Sequence, residues 1–170
     1  MSVPPSASLA LPRWAYVPGV ESEADHETLA MAKALVPARF NGFVPARHPA
    51  PRYGLGLNDA GFFWESHEIL EAVWAAAPQG GRERILLRAC IQIANANLKL
   101  RMGRFHAASR LFGEALAELN ELGVRKATGA GGGFADAFPT AALAGLLRTK
   151  LALPALSSAD WVAIGGLGRT

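Results

Sequence analysis

Residues 61–74 constrain the fold more than any other stretch of the chain. Phe62, Ser66, Ile69, Leu70 and Val73 recur there at three- and four-residue steps, the spacing of one face of a helix. The same run carries Glu65, His67, Glu68 and Glu71. On a helix, His67 and Glu71 stand one above the other, and Glu68 and Glu71 are also neighbours. Trp64 and Trp74 flank this polar face. A helix so rich in aromatics does not lie open to solvent along its whole length. Its carboxylates therefore need cations, amide donors, a metal or a ligand to answer them.

The sequence offers one set of partners downstream. Residues 85–100 are apolar almost all round, with Arg88, Gln92, Asn95 and Lys99 among the few polar positions. Those positions are four, three and four apart, one narrow stripe on a helix. If the two helices are antiparallel neighbours, the acidic stripe of the first faces the basic and amide stripe of the second. This pairing is the central expectation.

The remaining segments are also read as helices and loops. Pro4, Pro5, Pro12 and Pro18 exclude a regular element in residues 1–20, while Leu11, Trp14, Tyr16 and Val17 are too apolar for a free tail. An extended arm docked on a helical body is predicted. Ser22 offers an N-cap to a helix carrying Leu29, Ala32 and Leu35, stopped by Pro37. His26, on that helix, is read as an exposed or capping side chain. Residues 37–57 read as a loop, and Asn58 or Asp59 as the cap of the motif helix. Further helices are predicted over about 82–102, with Gly103 as the break, and about 104–122, with Gly123 just past its end. Residues 124–138 read as a flexible glycine-rich linker. A last helix is expected over 139–153 with Pro139 at its first position, after which Trp161, Val162 and Ile164 dock as a final turn. No stretch alternates with period two for long enough to make a strand. The expected fold is all-α: one domain over 1–170, a bundle of about five helices with central antiparallel hairpins over 58–122.

Composition narrows the function classes. The net charge of +3 is spread along the chain with no Lys/Arg run, which argues against nucleic acid as a partner. The single cysteine, Cys90, excludes an intrachain disulfide and sits in the most apolar helix, where a buried inert thiol is expected. The N-terminal region lacks the basic start and long apolar run of a signal peptide, and no segment is apolar enough to span a membrane. A cytoplasmic protein is expected.

The phrase Leu57-Asn58-Asp59-Ala60-Gly61-Phe62-Phe63-Trp64-Glu65-Ser66-His67-Glu68-Ile69-Leu70-Glu71-Ala72-Val73-Trp74 resembles the signature of a bacterial and archaeal family, domain of unknown function 309. That pattern runs Asn-x-Gly-x-aromatic-aromatic-Glu-Ala-His-Glu-x-x-Glu-x-x-Trp. A Gln-centred apolar helix and a glycine follow it, here Ile91-Gln92-Ile93-Ala94 and Met102-Gly103. The arm segment Tyr16-Val17-Pro18-Gly19 is similar to the family's entry segment. The resemblance covers roughly residues 55–120. Ser66 stands where the family has alanine, and Asn97 and Leu98 stand where its second helix often carries histidine. The resemblance implies an all-helical fold and homodimers, and it supplies no activity.

Three readings of the polar cluster follow. Glu65, Glu68 and Glu71 with Arg88, Gln92, Asn95 and Lys99 form a structural network bracing a small-ligand or interaction surface; buried charges need such partners. Alternatively, His67 and Glu71 share a divalent ion in a hydrolase-like enzyme, with Glu68, or Glu65 across the helix, as an outer partner or general base. His-Glu-x-x-Glu lacks the second histidine of the metalloprotease motif. In the third reading the hairpins present a groove to a peptide or a second copy, with Trp64 as anchor. The ligand candidates are Trp64, Glu65, His67, Glu68, Glu71, Trp74, Arg88, Gln92, Asn95 and Lys99; the metal candidates are His67 and Glu71.

Overall fold

The computed structural model describes residues 9–20, 23–125 and 132–166. Among them are seven α-helices: α1 (His26–Lys33), α2 (Pro49–Asp59), α3 (Phe63–Ala76), α4 (Arg82–Arg101), α5 (Phe105–Val124), α6 (Phe134–Ala137) and α7 (Thr140–Leu151). A 3₁₀ turn, Ser158–Asp160, follows. The described residues contain no strand, only an isolated bridge between Pro45 and Gly133. Among the described residues, no helix is long and apolar enough to cross a membrane. The all-α bundle inferred from sequence is the fold observed.

Helix α4 is the spine. It packs along α5 and α3; α2 packs on α3, and α7 on α5. Its Leu86, Leu87, Cys90, Ile93 and Leu100 are fully buried with Leu70 and Val73 of α3, Phe112, Leu119 and Leu122 of α5, and Leu143 and Leu147 of α7. Each such leucine contributes on the order of 1.5–3 kcal/mol through burial. Burial pushes the Cys90 thiol up to about 12, so it is inert packing. A second, smaller apolar cluster joins Leu29 and Ala32 of α1, Tyr53 and Leu57 of α2, and Ile69 of α3, with Leu9, Phe62 and Trp64 packed against it.

Local chemistry sets the helix ends. Asp25 caps α1, accepting from the Thr28 amide at 3.4 Å and its hydroxyl at 2.7 Å. The expected cap, Ser22, lies outside the described residues. Between α4 and α5, Gly103 has φ +74°, and the Arg104 amide reaches back to the Lys99 carbonyl at 2.8 Å. This left-handed reversal closes the last turn of α4, and it requires a residue without a Cβ penalty.

Five expectations are corrected. Residues 49–59, read as loop, form α2. Its prolines stand in the first turn, where backbone amides have no helical partner anyway. His48 caps it through Nδ1, accepting from the Ala50 amide at 3.1 Å. Asn58 and Asp59 consequently end α2 rather than cap α3, which starts at Phe63 with no side-chain cap. Gly123 lies inside α5, which continues to Val124. In the expected linker, Phe134 and Ala135 of α6 are buried in the core; residues 126–131 lie outside the described set. Pro139 is the N-cap of α7 rather than its first residue. The expected docking of the last segment holds in part: Val162 and Ile164 are each 1% exposed, while Trp161 is exposed.

Candidate functional site

Helix α3 carries the site, and its polar residues point to different elements. Ser66 Oγ donates to the Gly54 carbonyl of α2 at 2.7 Å. The two helices approach closely there, since a Cβ on Gly54 would stand 2.7 Å from Leu70 Cδ2. Glu65 turns toward the N-terminal arm and is completely buried. Its Oε2 accepts from the Tyr16 backbone amide at 2.7 Å, while Oε1 has no hydrogen-bond partner among the described residues. Burial pushes the Glu65 carboxyl up from its ordinary value, against the Tyr16 amide and Arg101, which favour the charge. Arg101 stacks its guanidinium 4.2 Å over the Phe63 ring and donates to the Gly61 carbonyl at 2.6 Å.

The arm is tied down along its length. Arg13 meets Asp25 through its backbone amide at 2.9 Å and its guanidinium at 3.0 Å. The Tyr53 hydroxyl donates to the Ala10 carbonyl at 2.6 Å, and Trp14 Nε1 donates to the Glu23 carbonyl at 2.9 Å. Tyr16 sets its ring edge-to-face on Trp64, centroids 4.9 Å apart. The docked arm read from the sequence is thus in place.

His67, Glu68 and Glu71 form the open part of the face. His67 Nδ1 lies 2.6 Å from the Trp64 carbonyl oxygen. A carbonyl only accepts, so this contact places the ring proton on Nδ1 and leaves the Nε2 lone pair free in the neutral ring. Nε2 stands 3.5 Å from Glu71 Oε2 and 3.7 Å from Glu68 Oε2. The three donor atoms lie within 4.8 Å of one another. Donors each about 2.1 Å from one ion stand roughly 3–3.5 Å apart, so small rotations suffice to close this set on a divalent cation. The other oxygen of Glu68, Oε1, meets Lys33 Nζ of α1 at 3.4 Å. Glu68 is thereby held from behind with Oε2 forward. The Glu71 side chain is 57% exposed and free to move.

The predicted facing of the two stripes does not occur. Gln92 donates to Glu114 of α5 at 3.2 Å, and Arg88 pairs with Glu118 of α5 at 3.4 Å. Asn95 and Lys99 are half-buried on the same stripe; among the described residues, no ion pair joins them to an α3 acid. Arg88 and Gln92 thus face α5, where Glu114 and Glu118 repeat at the matching four-residue step. Trp74 stands apart, stacked under Arg84 with 4.0 Å between guanidinium and ring. Of the predicted residues, the structure brings His67, Glu68 and Glu71 together, with Trp64 against His67 and Glu65 turned to the arm, and it does not bring Trp74, Arg88, Gln92, Asn95 and Lys99 to them.

The sequence reading missed Lys33 and Arg101 as partners of α3; it placed Tyr16 on a docked arm without saying where on the body it docks. Only Tyr16, with Trp14 one of two aromatics between Pro12 and Pro18, carried a readable signal.

Residues 52–111 match the pattern of the family described as Domain of unknown function (DUF309). The matched span takes in most of α2, all of α3 and α4, and the start of α5, so it holds the whole His67 cluster. The arm and α1, which supply Tyr16, Asp25 and Lys33, lie outside it. No curated protein matches the chain, and no solved structure does.

Asn97, at the position where the resemblance leads one to look for histidine, is buried and tied to the C-terminal segment. Its amide nitrogen donates to Asn58 Oδ1 at 2.8 Å and to the Val162 carbonyl at 2.9 Å, and its oxygen accepts the Val162 amide at 2.8 Å. That position is structural in this chain and adds no ligand to the His67 set.

Proposed function

We propose that α3 holds a divalent cation on its open side, through His67 Nε2 and the carboxylates of Glu68 and Glu71, while Glu65 and Ser66 brace the arm and α2 behind it. The observation that carries the reading is the 2.6 Å contact from His67 Nδ1 to the Trp64 carbonyl, which aims the free Nε2 at two carboxylates. Histidines that bind metals are oriented in this way by an acceptor on the far ring nitrogen. The histidine and mixed carboxylate donors suit zinc or another first-row ion better than calcium, which takes oxygen ligands alone. Three protein donors leave coordination positions open to water, the arrangement of hydrolytic rather than structural metal sites. Hydrolysis at this face is the activity to assay once binding is established.

The test is calorimetric titration of the purified, chelator-treated protein with Zn(II), together with elemental analysis of protein never exposed to chelator. One ion per chain is expected. His67→Ala should weaken binding by more than the roughly 10- to 100-fold that loss of an outer partner costs, with the helical circular dichroism retained. Absence of binding at micromolar Zn(II), or an unchanged affinity in His67→Ala, refutes the assignment.

A further inference from the structure

We propose that Tyr16, on the N-terminal arm, is a positioning residue for His67, acting through Trp64. The proposal deepens the cation-site reading and rests on it for its functional consequence. Trp64 is a hub: the rings of Tyr16, His26 and His67 all meet it edge-on, with centroids at 4.9, 6.0 and 5.7 Å and interplanar angles of 71°, 80° and 71°. Such contacts hold a ring by shape and by quadrupole together. Trp64 in turn holds His67 twice, by its ring and by its carbonyl. Tyr16 is the member supplied by the arm, and the fully buried Glu65 fixes it in place by accepting its amide.

The arrangement has a direction. Glu65 and His67 are two residues apart and so point to different sides of α3. Glu65 therefore takes no direct part in the donor set, and its influence passes through Tyr16 and Trp64. With the arm docked, the indole is pinned, and the imidazole against it has one ring orientation and one tautomer. With the Tyr16 ring removed, the indole gains freedom, the imidazole gains alternative orientations, and the donor set must be ordered when the ion binds. That ordering cost appears as lost affinity. The arm and the cation site are thus one unit, although the arm lies outside the DUF309 match.

The experiment compares wild type, Tyr16→Ala and Tyr16→Phe. The first readout needs no metal: the ¹⁵N shifts of the His67 imidazole at mildly alkaline pH, assigned with His67→Gln, report the Nδ1–H tautomer. The second is Zn(II) affinity by calorimetry. Tyr16→Ala should shift the His67 signals toward a mixture of tautomers and weaken Zn(II) binding by about tenfold, as loss of an outer partner does. Tyr16→Phe keeps the ring and the backbone amide, and should preserve both readouts. Circular dichroism checks that each variant is folded. An unchanged His67 signature in folded Tyr16→Ala overturns the proposal. If wild type binds no Zn(II) yet Tyr16→Ala still shifts the signature, the positioning role stands and the cation reading falls. If wild type binds Zn(II) and Tyr16→Ala leaves the affinity unaltered, the cation reading stands and the positioning role falls.

Discussion

Glu65 shows how one buried carboxylate can be structural while its neighbours on the helix remain available. It has a single hydrogen-bond donor, the Tyr16 amide, and one oxygen with no partner among the described residues. A buried charge so thinly answered contributes little net stability, but removing the acceptor strands the amide. Glu65→Ala should therefore cost about 1–3 kcal/mol in urea unfolding and expose the Arg13–Trp14 bond to trypsin. Glu65→Gln keeps an acceptor for Tyr16 and sheds the charge, so it should cost less than half as much and leave the arm protected. Equal losses in the two variants would mean that the charge, not the acceptor, holds the arm. Legibility divides in the same way. The Glu-Ser-His-Glu-x-x-Glu run announced a polar face on an apolar helix, and that face exists. Its partners were not readable, because they come from a proline-rich arm with no period and from Lys33, one of many scattered cations.

Among the elements, α2 is where sequence and structure part. Pro49, Pro51, Gly54 and Gly56 read as loop residues, yet each has a place in a helix. The prolines fall in the first turn, and Gly54 lets α3 approach so closely that Ser66 reaches its carbonyl. A glycine selected for close packing and one selected for a turn look identical in a single sequence. Gly54→Ala should consequently destabilise the protein by about 1–3 kcal/mol, the range of overpacking in a filled core. Gly56→Ala, with open space around the added carbon, should be neutral or slightly stabilising. Thermal melts of the two variants make the comparison, and a Gly54→Ala melt at or above wild type would deny the close crossing. The arm has its own signature in acid. The Arg13 guanidinium and amide, with Thr28, hold the Asp25 carboxyl well below the usual carboxylate range. A depressed carboxylate contributes stability above its ordinary value of 3.8 and loses it as pH falls through the lower, native value. Arm docking, followed by tryptophan fluorescence, should therefore hold at neutral pH and weaken only below about pH 4, and Asp25→Asn should remove that acid step. The stripe on α4 gives the complementary lesson. Its spacing was correct, but a polar stripe does not say which neighbour it faces. Glu114 and Glu118 on α5 have the same step and were the better match.

For the molecule as a whole, the longest-range connection is polar. Asn58 at the end of α2, Asn97 in α4 and Val162 near the C-terminus share a buried set of four hydrogen bonds. Asp59 adds the amides of Ile164 and Gly166, both at 2.7 Å. This knot closes the chain on itself: residues separated by 104 positions meet at the Asn58–Val162 bond. Apolar burial of Val162 and Ile164 supplies an undirected attraction for the last segment, and the two asparagines fix its register, since an amide offers both donor and acceptor to one extended backbone. Asn97→Ala leaves the Val162 amide and the Asn58 carbonyl without their partner in the core, and should cost about 3 kcal/mol. Asn97→Leu, which also fills the space, should cost about as much, because the stranded groups rather than a cavity carry the loss. Asn58→Ala and the double variant complete a cycle, and direct contact predicts a coupling of about 0.5–3 kcal/mol. Native-state hydrogen exchange should show the Val162 and Ile164 amides losing protection in Asn97→Ala ahead of the amides of α4 and α5. If those amides instead exchange together with the α4 core, the segment is held by apolar burial alone. The His67 cluster lies on α3, outside this set of bonds, so Zn(II) binding should survive Asn97→Ala wherever the fold does. That independence separates a residue that holds the chain together from those proposed to hold the ion.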